Sequence, residues 1–398
     1  MIKRMLFYLL GVSLLGLLIS CGGGSGTRPN FSRGIVRDGV IAIPDDGTVT
    51  ITNQTDTGLT LSGTNPAIAT IKLGSVIVIA KGQGLAVKVK TIAINGGQTV
   101  LGTESARLTD IFSELDIHQN QSLNSIDLAT VNTAPGVTYA GRSRDGGTIT
   151  LQLSHVSPLP NNNGEIDLSG SLELSGSIDM DMQTDGDGVR LLRFAPTLTE
   201  KLAVSLSFKK TVGTPIYGHQ LPIADFSGTP IVIPVGPVPV IILPKFKVYL
   251  KLLGRVEGGI KTGVSLVCTE TLGVKYDRTN GWSSNASSSA SGVADPVTVY
   301  ANLTGSIGPA ADVQFFLFGL VGPTISIAAP EYEVKLTSTT NPASIKLKTN
   351  ILAEGFVAVK AGIFGYDFGV YDPGLLVQKR WPLSDQTFLP GDAKIGVQ

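Results

Sequence analysis

The sequence predicts an all-β protein of long antiparallel strands, forming a sandwich or a strongly curved sheet, with a smaller β unit towards the N-terminus. Three observations carry this reading. From residue 35 onward, apolar and polar residues alternate at period 2 over most of the chain, the spacing of strands with one buried face. Glycine and proline make up 48 and 22 of the 398 residues and follow no triplet period, so they punctuate turns and bends and do not build a collagen-like chain. Only one segment carries helical spacing. Apolar residues reach 42%, too many for a disordered chain, and the length allows more than one domain.

Taken in order, residues 36–117 read as a small β domain. It contains the apolar run Val76-Ile77-Val78, with turns at Gly82-Gln83-Gly84 and Asn95-Gly96-Gly97. A short helix is expected to close it over Glu104–Asp116, where Leu108, Ile111, Phe112 and Leu115 recur at helical spacing. Residues 118–145 are polar and turn-rich, which suits a linker or long loop. Residues 146–398 read as a large antiparallel β domain. Its clearest strand covers 165–182, with Leu168, Leu172, Leu174, Ile178, Met180 and Met182 on one face and Glu165, Asp167, Glu173, Asp179 and Asp181 on the other. Residues 201–209 alternate through Leu202, Val204, Leu206 and Phe208. Residues 245–262 repeat the pattern, with Phe246, Val248, Leu250 and Leu252 inward. Strands this long are unusual, so breaks or bulges are expected at Gly170, Gly176 or Gly254. Residues 281–292, rich in serine, read as a hairpin loop.

The first 21 residues carry an address. Lys3 and Arg4 precede an apolar stretch from Leu6 to Ile19, the layout of a secretory signal, and shorter than the roughly 20 residues a membrane helix needs. It ends in Leu18-Ile19-Ser20-Cys21. This resembles the lipobox of bacterial lipoproteins: an aliphatic residue, a variable one, a small one, then cysteine. The resemblance implies cleavage before Cys21, which makes 1–20 the signal peptide, and acylation of Cys21. Acylation by more than one chain anchors a protein stably to a membrane. Gly22 stands where an aspartate would resemble inner-membrane retention, so the outer membrane is the expected address in a Gram-negative cell. Residues 21–35 then form the lipidated cysteine and a flexible tether.

Charge excludes one class of function. Lys plus Arg and Asp plus Glu are both 31, so there is no overall basic field for nucleic acid. Four bases on one predicted strand face, Lys245, Lys247, Lys251 and Arg255, form a candidate binding stripe for an anionic glycan or lipid headgroup. Cross-strand pairing or solvation explains the same pattern. Phe226–Pro244 carries no charge, but prolines at 230, 234, 237, 239 and 244 forbid a membrane helix, so it reads as a core or edge strand. Asp185-Gly186-Asp187-Gly188 fails as an EF-hand loop because position 12 would be Phe194; it reads as a tight turn. Phe356, Phe364, Tyr366 and Phe368 share one predicted face and read as core.

No catalytic motif stands in context. His118, His155 and His219 are isolated in sequence, and Cys268, flanked by Val264 and Leu266, reads as a buried inert thiol. No cofactor or metal is called for. The leading expectation is a non-catalytic cell-envelope lipoprotein with a surface binding, adhesive or structural role, held to the membrane through Cys21. A lipid or hydrophobic-ligand carrier is the alternative, and a glycan-active enzyme comes third.

Overall fold

The computed structural model describes residues 28–388 apart from 83, 143–147, 157–164, 210–215, 257–258, 296–297, 300–302, 319, 341–342 and 360–370. The chain opens with β1 (Phe31–Val36). Six strands of a small sheet follow: β2 (Val40–Ile43), β3 (Val49–Thr55), β4 (Gly58–Gly63), β5 (Val76–Ile79), β6 (Leu85–Asn95) and β7 (Gln98–Ser105). Four shorter strands come next, β8 (Phe112–Ser122), β9 (Leu128–Thr133), β10 (Val137–Arg142) and β11 (Ile149–Val156). The long strands begin with β12 (Glu165–Asp185), β13 (Gly188–Lys209) and β14 (Ile216–Gly228), then β15 (Ile231–Val235), β16 (Val238–Val256), β17 (Gly259–Asp277) and β18 (Gly281–Ala294). The chain ends through β19 (Thr298–Val299), β20 (Leu303–Leu317), β21 (Leu320–Thr340), β22 (Ala343–Val359) and β23 (Tyr371–Phe388).

The fold is an all-β sandwich. One nine-stranded sheet runs β1-β8-β12-β13-β17-β18, with β11 beside β12, β10 on β11 and β19 on β17. The facing eight-stranded sheet runs β23-β22-β21-β20-β16-β14-β9, with β15 on β16. Pairing in both is antiparallel throughout the described residues. Leu172, Leu174, Leu202 and Leu266 of one sheet share a single buried core with Phe226, Val248, Leu250 and Ile325 of the other. Trp282 of β18 stacks on Tyr371 of β23 at 5.7 Å between centroids, tying the two sheets along one edge.

The small sheet has order β2-β5-β6-β7-β4-β3, with β2 and β5 parallel. Alternation splits its strands between two cores. Ile77, Ile79, Val89 and Leu101 fill a core of its own, while Val76, Val78 and Ala86 pack into the sandwich core. Strands β1 and β8, which bracket this unit in sequence, belong to the large sheet. The small unit therefore spans residues 40–105, narrower than the 36–117 expected from sequence.

Four further expectations need correction. The helix expected over Glu104–Asp116 shrinks to one turn, α2 (Leu108–Ile111), after an earlier turn α1 (Pro66–Ala69). From Phe112 the chain is strand β8: Leu115 and Ile117 bury at strand spacing, and an irregularity in the pairing with β1 at Ser113 lets Phe112 bury as well, once β1 and β12 pair on either side. Residues 118–145, read as a linker, hold the end of β8, a 3-10 turn, β9 and β10. The serine-rich segment is strand β18, in register with β17 from Asp277↔Gly281 to Val264↔Ala294; Ala286, Ala290 and Ala294 turn inward between exposed serines. Residues 245–262 divide not at Gly254 but after Val256, where the chain passes from β16 in one sheet to β17 in the other.

Strand β12 does run long, 21 residues, roughly 70 Å at about 3.3 Å each. Its glycines permit close approach and do not break it. A Cβ on Gly176 would sit 2.1 Å from the carbonyl oxygen of Thr197, and one on Gly170 2.2 Å from that of Ala203. Pairing with β13 continues unbroken past both.

Among the described residues, the core beside Leu174 and Leu250 is closely packed. A void bounded by Leu168, Leu202, Leu250 and Tyr332 measures about 10 Å³, and one bounded by Leu174, Phe226 and Val248 about 20 Å³. These are the size of one water, far too small for an acyl chain. Leu250 is 2% exposed. Leu250→Ala is expected to lower unfolding stability by about 2–5 kcal/mol in denaturant titration; a loss below about 1 kcal/mol would show that this side chain borders open space.

Candidate functional site

Cys21 and the whole signal segment lie outside the described residues. The four predicted bases of β16 do not form one stripe. Lys247 is exposed and stands in register between Asp225 of β14 and Asp312 of β20. Lys245 is half-buried, its ammonium 4.6 Å from the centre of the Phe316 ring. The Arg255 side chain lies outside the described residues. Lys251 departs furthest from expectation: it is buried, with Nζ 2.7 Å from both Glu331 of β21 and Glu354 of β22. The correction has a simple cause. Opposite charges on neighbouring strands face Lys247 and Lys251, and for Lys251 they close over it.

Burial pulls the carboxyl of Glu354 upward, but hydrogen bonds from Lys251 and Gln378 outweigh it and hold the group below the usual carboxylate range. Lys251 is likewise pushed down by burial and raised on balance by its two carboxylate partners.

Between the sheets lies a second acidic group that sequence reading missed. Glu200 on β13 and Glu270 on β17 occupy inward positions of the alternation and are each 1% exposed. None of their four carboxyl oxygens has a hydrogen-bond partner among the described residues, nor does the buried Oγ of Ser288, which pairs in register with Glu270. Burial pushes Glu270 from 4.5 up to about 8, helped by the charge of Glu354. Burial and then Glu270 push Glu200 well above its ordinary value. An isolated ionised carboxylate is costly in such surroundings and takes a proton instead. Both groups are shut off from solvent, so no sugar ring reaches them as it must reach a glycosidase's carboxyl pair.

Cys268 sits in the same layer, directly opposite Glu200. Burial, then the charges of Glu270 and Glu200, push its thiol up, away from the reactive thiolate. Slow reaction of the native protein with a thiol reagent and fast reaction after unfolding are therefore expected. Stoichiometric labelling of the native state within seconds would contradict this burial.

A third cluster gathers on the outward face of β12. His118 of β8, isolated in sequence, lies with Nδ1 2.8 Å from Asp181 and 3.8 Å from Asp179. The ligand atoms of these three lie within 4.8 Å of one another, a donor set that could take a divalent cation. The guanidinium of Arg193 already supplies positive charge there, 2.7 Å from Asp179 and 3.0 Å from Asp181. The cluster is a charge network built by strand register: Asp181 pairs with both His118 and Arg193.

Other candidates settle plainly. Asp185 closes the β12–β13 turn, accepting from the Asp187 amide and held by both terminal nitrogens of Arg278, so arginine occupies the carboxylate tested for calcium. His155 is exposed and bonded to Asp167; the His219 side chain lies outside the described residues, as do Phe364, Tyr366 and Phe368. Phe226–Pro244 supplies the end of β14, β15 and the start of β16, with Phe226, Ile233, Val235, Val238 and Val240 buried. No family model, no curated protein and no solved structure matches this chain.

Proposed function

We propose that the chain is a bacterial cell-envelope lipoprotein, anchored through acylated Cys21, whose sandwich serves a non-catalytic binding, adhesive or structural role. The observation that carries this is the run Leu18-Ile19-Ser20-Cys21 at the end of a short apolar stretch behind Lys3 and Arg4. Gly22 in place of aspartate favours the outer membrane of a Gram-negative cell. Without its signal the chain has 29 bases against 31 acids, in keeping with a partner other than nucleic acid. The filled interior around Leu174 and Leu250 supports a structural or surface-binding role over lipid carriage. Exposed Lys247 and half-buried Lys245 remain the bases of the predicted stripe able to meet an anionic glycan or headgroup.

Replacing Cys21 with Ala and fractionating cells tests the anchor. The variant should leave the membrane fraction and lose label from radioactive palmitate. Unchanged membrane partition with unchanged label would overturn the reading.

A further inference from the structure

We propose that a depression on the outward face of the nine-stranded sheet, between β1, β8 and the β12–β13 turn, binds a short neutral oligosaccharide. The proposal rests on the surface-binding reading above and names its ligand class and its place. It does not depend on the Cys21 anchor.

The depression holds about 590 Å³, within the range of small-molecule sites, against about 10 and 20 Å³ for the voids between the sheets. Strand register builds it. Gly34 of β1, Leu115 of β8 and Thr184 of β12 pair in one row that lines it. Leu115 and Thr184 bury their side chains inward, so this row floors the depression with backbone. The neighbouring rows turn outward and wall it. Arg33, Asp116 and Gln183 pair in one of them, and Ile35 pairs with Glu114 in the other.

The first wall is held in place by a ladder of hydrogen bonds. Nε and Nη2 of Arg33 donate to Asp116 Oδ2 at 3.1 and 2.6 Å. Gln183 Nε2 donates to Asp116 Oδ1 at 2.9 Å, and Arg190 Nη2 donates to Gln183 Oε1 at 2.9 Å. At the turn, Asp185 is clamped by Arg278 at 2.7 and 3.0 Å. Walls fixed before a ligand arrives leave little ordering to oppose binding.

Charge decides between ligand classes. Arg33 cancels Asp116, Arg278 cancels Asp185, and Arg190 offsets Glu114. No net field remains to select a phosphate, an acidic sugar or a metal ion. Hydrogen-bonding groups of both kinds do remain. Among the described residues, both carboxylate oxygens of Glu114, Nη1 of Arg33, and Nε and Nη1 of Arg190 have no protein partner. Acceptors and donors in one depression suit a hydroxyl, which does both. Ile35, 56% exposed and in register with Glu114, offers apolar surface to the C–H face of a sugar ring. An extended peptide would need a free strand edge, and β8 and β12 are paired on both sides.

The test uses the full chain with nitrogen-15 arginine, in micelles of a detergent that carries no sugar. Cellotriose, maltotriose and chitotriose are the probes, with trigalacturonate as the acidic counterpart and a terminally blocked trialanine as the peptide. At least one neutral trisaccharide should shift the Nε signals of Arg33 and Arg190 saturably. Its affinity should change by less than about twofold between about 50 and about 500 mM salt, because no net charge is met. Glu114→Ala and Arg190→Ala, both at exposed positions, should each weaken it about tenfold, the loss of a hydrogen bond to a charged group. Lys348→Ala, exposed on β22 of the facing sheet, should bind as wild type. A Cys21→Ala chain should also bind as wild type, so failure of the anchor and failure of the site are read apart. Silence of both arginine signals with all three neutral sugars would overturn the proposal. So would tighter binding there of trigalacturonate or the peptide, or wild-type affinity in both Glu114→Ala and Arg190→Ala.

Discussion

Raising the pH from about 4.5 to above 8 is expected to cost the fold on the order of 5 kcal/mol through Glu270 alone. The carboxyl is buried between the sheets without a hydrogen bond among the described residues and binds its proton up to about pH 8, against 4.5 in an unperturbed chain. A group whose folded value is raised in this way contributes its full stability below the unfolded value. That contribution is lost as pH rises and is gone above the folded value. The gap between 4.5 and about 8, at about 1.4 kcal/mol per pH unit, sets the magnitude. Glu200, raised in the same sense by burial and by Glu270, adds to the loss. Glu270→Gln keeps the neutral shape and cannot ionise. Denaturant titrations should find it close to wild type near pH 5 and about 3–5 kcal/mol more stable near pH 9. Parallel stability curves for the two proteins would show that Glu270 finds a partner or solvent.

Lys251→Met is expected to destabilise the protein by about 3–5 kcal/mol at neutral pH, the usual cost of stranding buried charge. Lys251 stands 2.7 Å from each of two carboxylates, and Glu331 is fully buried. The damage should shrink as pH falls, because Glu331 and Glu354 can take protons once their cation is gone. Neutralising both acids together with Lys251 should restore most of the loss, since a charge set replaced as a whole is often near neutral in effect. If Lys251→Met alone were silent at pH 7, the ammonium would be solvated in the native protein and the burial seen here wrong.

The long strands were legible because alternation is local. Leu168, Leu172, Leu174, Ile178, Met180 and Met182 declare one face of β12 without reference to any other strand, and all six are buried. The cysteine Cys268 reads as buried for the same reason. What failed needed partners. Leu108, Ile111, Phe112 and Leu115 fit a helix when read alone, and only pairing with β1 and β12 selects a strand from Phe112. The serines of β18 lack bulk to declare a face, so register with β17 decides. His118 and Asp181 are 63 residues apart in sequence, and Lys251 and Glu354 are 103 apart, so charge clusters built across strands leave no spacing to read. One signal was present. Glu200 and Glu270 interrupt otherwise apolar inward faces, at Leu198-x-Glu200-x-Leu202 and Cys268-x-Glu270-x-Leu272. A carboxylate on the wrong face of an alternating strand marks a group whose protonation depends on the fold.

The intact mass of the full chain, purified in detergent from a bacterial membrane, tests the central claim most directly. A lipoprotein anchored as proposed starts at Cys21 and carries the added mass of its acyl chains on that residue. A chain that keeps residues 1–20, or one cut elsewhere that carries no lipid, would contradict it.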